Sequence, residues 1–116
     1  MARAKLDLSA RTVQGRLVIR VAGDLDFTTS DRLGGYVAGL TADLADPRVV
    51  LDLADLDFCD SDGIGALVRV WKDLDSAGGA LCLAAAQPRV STVLRTTGLD
   101  TMLDLCDTLG EALSGP

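Results

Sequence analysis

Ile64, Leu67, Val68, Trp71 and Leu74 recur at i, i+3, i+4, i+7 and i+10, and short apolar runs flank this stripe at 49–53 (VVLDL) and 80–84 (ALCLA). The stripe predicts an amphipathic helix, and the two runs predict short buried strands. Gly78-Gly79 stops the helix before the second run. A strand–helix–strand order constrains the chain strongly, because it favours a largely parallel sheet with helices packed on it.

The flanking segments extend that pattern. Leu6 and Leu8 alternate with Asp7 and Ser9, Val13-Gln14-Gly15-Arg16 carries turn residues, and Leu17, Ile19 and Val21 alternate again. This predicts an N-terminal β-hairpin with one inward face. Thr28-Thr29-Ser30-Asp31 supplies N-cap candidates for a helix whose apolar positions are Leu33, Val37, Leu40 and Leu44, although Gly34, Gly35 and Gly39 weaken it. Beyond the second strand, Pro88 suits a first helical turn and Val90, Val93 and Leu94 make its inner face, with Gly98 at C′. A last strand is expected over 102–105 and a last short helix over 108–113. Between Ala54 and Gly65 we expect an acidic, turn-rich connection.

A chain of 116 residues suits one domain, spanning 1–116, and a hydrophobic fraction of 48% is ample for one core. Aromatics are only 3%, so Leu, Val, Ile and Ala must build that core, with Trp71 expected among them. The net charge of −6 and the lack of any basic run argue against nucleic acid or an anionic membrane as partner. With no His, the commonest general base and metal ligand are missing, so neither catalysis nor a metal or cofactor site is expected. Cys59, Cys82 and Cys106 form no C-x-x-C pair and read as reduced, buried, structural thiols of a cytoplasmic protein. Acid follows Met1-Ala2-Arg3-Ala4-Lys5-Leu6 directly, which is unlike a signal peptide, and no apolar stretch is long enough to span a membrane.

The chemistry concentrates in Cys59-Asp60-Ser61-Asp62-Gly63-Ile64-Gly65. No Lys or Arg occurs between Arg48 and Arg69, whereas Asp52, Asp55, Asp57, Asp60 and Asp62 all do. Where a strand-derived loop enters a helix, Asp60 or Ser61 can accept from first-turn N–H groups, and acids favour that end of the dipole. A serine there is exposed, held in place and able to carry a phosphate. Competing motifs fail on detail. Val68 stands where a dinucleotide fingerprint needs its third glycine, and no Lys sits at the helix start for a P-loop. An EF-hand would need acids at Phe58 and Arg69. A nucleophile elbow would need glycine at Cys59 and a His elsewhere. An aspartate-phosphorylated receiver would need a late Lys, but the lysines are Lys5 and Lys72.

Three stretches of the chain resemble the STAS domain of the anti-sigma factor antagonist type, the bacterial partner-switching regulators. Val21-Ala22-Gly23-Asp24-Leu25-Asp26 is similar to the family's turn after the second strand. The run 49–53 followed by Phe58-Cys59-Asp60-Ser61-x-Gly63-Ile64-Gly65-Ala66-Leu67 resembles its phosphorylation segment, the most specific of the three. Residues 90–99, with Gly98-Leu99, resemble its third helix and following turn. The resemblance implies a single STAS-like α/β domain. We expect a mixed, largely parallel sheet of about five strands with an N-terminal hairpin, and about four helices.

It also implies that Ser61 matches the serine phosphorylated by an anti-sigma factor that is itself a serine kinase of the GHKL ATPase type. Asp60 matches the acid before that serine, and Asp26 the acid of the partner-facing turn. The partner-binding positions it implies are Asp26, Cys59, Asp60, Asp62, Gly63 and Ile64. The unphosphorylated form would bind the anti-sigma factor and release sigma; the phosphorylated form would let go. The protein would act as a monomer or weak dimer. Asp62 departs from the family's usual Ser or Thr. That departure leaves a second reading open, a non-phosphorylated STAS scaffold or small-ligand sensor within a regulatory complex.

Overall fold

The hairpin expected from the first twenty-five residues opens the fold. In the computed structural model, which describes residues 6–114, β1 (Leu6–Val13) and β2 (Arg16–Leu25) pair antiparallel from Leu6↔Gly23 to Val13↔Arg16. The segment 1–5 read for a leader, and residues 115–116, lie outside the described residues. The chain then runs through α1 (Ser30–Thr41), β3 (Arg48–Asp52), β4 (Leu56–Cys59), α2 (Ser61–Ser76), β5 (Ala80–Ala84) and α3 (Pro88–Thr96). A 3-10 turn (Leu99–Thr101), β6 (Asp104–Cys106) and α4 (Leu109–Ser114) complete it. Strand order is β1-β2-β3-β5-β6, with every pair after the hairpin parallel.

Among the described residues the sheet has six strands rather than about five, because β4 forms inside the segment read as a loop. Its origin is tertiary. β3 covers only Leu17–Arg20 of the ten-residue β2, which leaves the backbone groups of Gly23–Leu25 to be paired. β4 takes that place in parallel, through Asp24↔Phe58 and Leu25↔Cys59, after a register shift at Gly23. Four residues flanked by Asp55 and Asp60 are too short for periodicity to reveal.

The main core gathers one face of the sheet against α1, α2 and α3, with Ile19, Leu25, Leu33, Leu51, Leu67 and Leu94 fully buried. A smaller cluster of Val18, Val50, Ala84 and Ala112 lies beneath α4. The buried face of α2 is Gly63, Ala66, Leu67, Val70 and Leu74, so Trp71, Ile64 and Val68 are half-buried at its rim instead of at its centre. Hydropathy misplaces that face because Gly63 and Ala66, the residues that let helix and sheet approach, weigh little in it. On α1, Leu33 and Val37 are buried, but Leu40 and Leu44 are exposed, Leu44 lying past the helix end. Gly98 adopts φ +80° after α3, as a C′ glycine should. The expected last strand is shifted to Asp104–Cys106 by the 3-10 turn before it.

Candidate functional site

At the carboxyl end of β4 the chain turns directly into α2. Asp60 is extended (φ −95°, ψ −170°), and its Oδ1 accepts from the Gly63 N–H at 2.9 Å. Its own carbonyl accepts from the Ile64 N–H at 2.9 Å, and its N–H donates to the Leu25 carbonyl at 3.2 Å. Asp60 is therefore the N-cap, and the Ser61 hydroxyl is left out of the cap at the first helical position. Ser61 and Asp62 are exposed, with the positive end of the helix dipole beneath them.

Gly63 is required by packing. A Cβ there would overlap the Leu25 carbonyl oxygen and stand 2.8 Å from Cys59 Sγ. That contact seats the first turn of α2 directly on the end of β2, beside the turn that follows it. Asp26 organises this second turn. Its Oδ1 accepts from the Thr28 N–H at 2.9 Å and from the Thr28 hydroxyl at 2.6 Å. The Thr29 hydroxyl donates to the Asp24 carbonyl at 2.9 Å and accepts from the Asp26 N–H at 2.9 Å.

The expected site residues thus separate into two groups. Ser61 and Asp62 are exposed, while Asp26, Asp60 and Ile64 are half-buried beside them. Cys59 and Gly63, two further positions expected to bind the partner, are buried and shape the site from beneath. Burial, and then the Asp60 carboxylate, push the Cys59 thiol up to about 12, so it stays protonated at neutral pH. The acids are unequally balanced, for Arg20 neutralises Asp55 at 2.7 Å while Asp57 and Asp62 stand exposed.

Two residues of this end were not anticipated. Phe27 and Phe58, both phenylalanines of the chain, are 73% and 48% exposed. Phe58 lies opposite Asp24 in the β2–β4 register, and Phe27 sits in the turn organised by Asp26. Phe27 had a signal, an aromatic within a polar turn of a chain poor in aromatics. Phe58 stood out less, since it lies beside Cys59 in the segment that reads as an acidic, turn-rich connection.

Cys82 and Cys106 are half-buried rather than buried, and all three cysteines are free. Among the described residues, no group of three His, Cys, Asp or Glu side chains could hold a metal, and no helix is long and apolar enough to cross a membrane. The site can present an exposed hydroxyl, several carboxylates and two aromatic rings to another molecule.

A family model for the STAS domain matches residues 7–112. The chain is 29% identical over 101 residues to an anti-sigma F factor antagonist of Paenibacillus polymyxa, covering 87% of this chain and 86% of that one. It is 25% identical over 100 residues to the anti-sigma-B factor antagonist of Bacillus subtilis, covering 86% and 90% respectively. Its fold superimposes on an anti-sigma factor antagonist from Mycobacterium paratuberculosis with a TM-score of 0.83 at 27% identity, over 94% of this chain and 92% of the other.

Proposed function

The chain belongs to the STAS domain family, and on that premise we propose that it is an anti-sigma factor antagonist switched by phosphorylation of Ser61. Unphosphorylated, it binds an anti-sigma factor serine kinase of the GHKL ATPase type and frees the sigma factor; phosphorylated, it releases the kinase. One observation carries this reading: Asp60 takes the N-cap bond, so Ser61 stands exposed, fixed at a helix entrance and free to be modified.

The contact surface is Ser61 and Asp62 with the exposed parts of Asp26, Asp60 and Ile64, and Phe27 and Phe58 are its aromatic anchors. Phosphate adds about −1.5 to −2 charges beside Asp60 and Asp62. An interface that buries Ser61 would then have to desolvate that charge among carboxylates. A loss of about 3 kcal/mol weakens affinity more than a hundredfold, enough to exchange partners. The helix N-terminus accommodates the phosphate, so the fold need not change.

The test is incubation with ATP and a kinase-type anti-sigma factor, read by intact mass and peptide mapping. A single phosphate at Ser61, absent in Ser61→Ala, is expected, with Ser61→Ala binding the kinase persistently and Ser61→Asp binding it more weakly. Phosphate at another residue, with Ser61→Ala modified at the normal rate, overturns the assignment. The exposed Asp62 beside the acceptor favours the second reading, a non-phosphorylated scaffold. That reading predicts no phosphate and unchanged partner binding in both Ser61 variants.

A further inference from the structure

On the face of the sheet opposite the main core, β5 and the edge strand β6 bring two cysteines together. Cys82 Sγ and Cys106 Sγ lie 3.3 Å apart, although the residues are 24 positions apart in sequence. The register pairs Cys82 with Asp104 and Ala84 with Cys106, so the thiols meet on a diagonal and share one face. Both are half-buried, and both line an open cavity of about 330 Å³ beside α4. A small oxidant can therefore reach them, whereas Cys59 is buried beneath α2 in the other cluster.

We propose that Cys82 and Cys106 form an oxidisable dithiol, a modification site at which a peroxide closes a disulfide between β5 and β6. The sulfurs need to approach by only about 1.3 Å to reach disulfide length. One thiolate attacks the peroxide, giving a sulfenic acid and hydroxide. The second thiol's sulfur then displaces the sulfenic oxygen as water, so two thiols lose two hydrogens and one peroxide becomes two waters. The bond encloses α3 and the 3-10 turn and ties down β6, a three-residue strand that among the described residues pairs with β5 alone.

The surroundings set the pace. Burial, then the hydrogen bond with Cys106 and the Asp104 carboxylate, push the Cys82 thiol up to about 12, while Arg16 pulls it down. Arg48 and Glu111 also line the cavity. The thiolate is the reacting form, so oxidation is slow at neutral pH and quickens as pH rises.

The experiment treats the folded full-length protein with hydrogen peroxide and reads intact mass, non-reducing peptide maps and thermal midpoint. Expected are a mass lower by two hydrogens, a peptide joining Cys82 to Cys106, the same product in Cys59→Ala, and reversal by dithiothreitol. The midpoint should rise by roughly 5 °C or more, since a long loop is closed. Cys82→Ala and Cys106→Ala should each lose the linkage and take up oxygen instead. Oxygen addition without loss of hydrogens in the wild-type chain, or a linkage through Cys59, overturns the proposal. Because no step involves Ser61, the outcome is independent of the phosphorylation switch.

Discussion

Two helices of this protein begin with the same dipeptide, and the fold treats them oppositely. α1 is entered through Thr29-Ser30-Asp31 and α2 through Asp60-Ser61-Asp62. At α1, Thr29 and Ser30 are 3% and 7% exposed, and the Thr29 hydroxyl is spent on the Asp24 carbonyl and the Asp26 N–H rather than on its own helix. At α2 a carboxylate makes the cap and the serine faces out. The serine at the first helical position thus becomes part of a buried joint in one place and an accessible hydroxyl in the other, while the aspartate after it is exposed in both. Which residue satisfies the first-turn N–H groups, and what the adjoining strand does, decide the difference.

The comparison can be broken most severely at the glycines. Gly63→Ala should cost about 3 kcal/mol or more, because the new methyl has no place beside the Leu25 carbonyl and Cys59. Gly35→Ala on α1 meets nothing within 4 Å and should stabilise by about 0.5–1 kcal/mol. Urea denaturation of both variants checks this, and similar values would mean that the α2 entrance is not pinned by packing.

Thr29→Val comes next, at about 2 kcal/mol, since it leaves a half-buried carbonyl and N–H without their hydroxyl partner. A loss below that of the α2 cap variant Asp60→Ala would show that the α1 joint tolerates water.

The thiol beneath the α2 entrance gives a pH signature. Below pH 9 Cys59 is protonated folded or unfolded, so it adds no pH dependence there. Above pH 9 the unfolded thiol, with its ordinary value of 9.0, ionises while the folded one stays protonated up to about 12. Ionisation therefore favours the unfolded chain. Stability should fall by on the order of 1 kcal/mol per pH unit across that window relative to Cys59→Ala. Parallel stability curves for the two proteins would contradict the buried placement.

Asp60→Ala should have the smallest effect, about 1 kcal/mol, because it removes one cap bond at a half-buried site. Measured beside Ser61→Ala, which should cost less, it distinguishes the capping residue from the accessible one.

Local regularities were legible in the chain. The alternation of Leu17, Ile19 and Val21, the Ile64–Leu74 stripe and the Gly78-Gly79 stop state backbone period and element ends directly, because those depend on near neighbours alone. They placed the hairpin, the helices and the 59–65 segment, and through it Ser61. The capping choice was narrowed to Asp60 or Ser61 but not resolved, since either side chain can reach a first-turn N–H.

What the tertiary structure decided was everything that depends on a residue distant in sequence. β4 exists because β2 outruns β3, which no window around Leu56–Cys59 records. Gly63 is obligatory because the Leu25 carbonyl, thirty-eight residues earlier, touches it. Phe58 is exposed although it lies beside a buried cysteine, and Cys82 meets Cys106 because two parallel strands are paired in one register. Period fixes which side of an element a residue occupies. Only the packing of one element on another determines whether that side meets water, a backbone atom or a second sulfur.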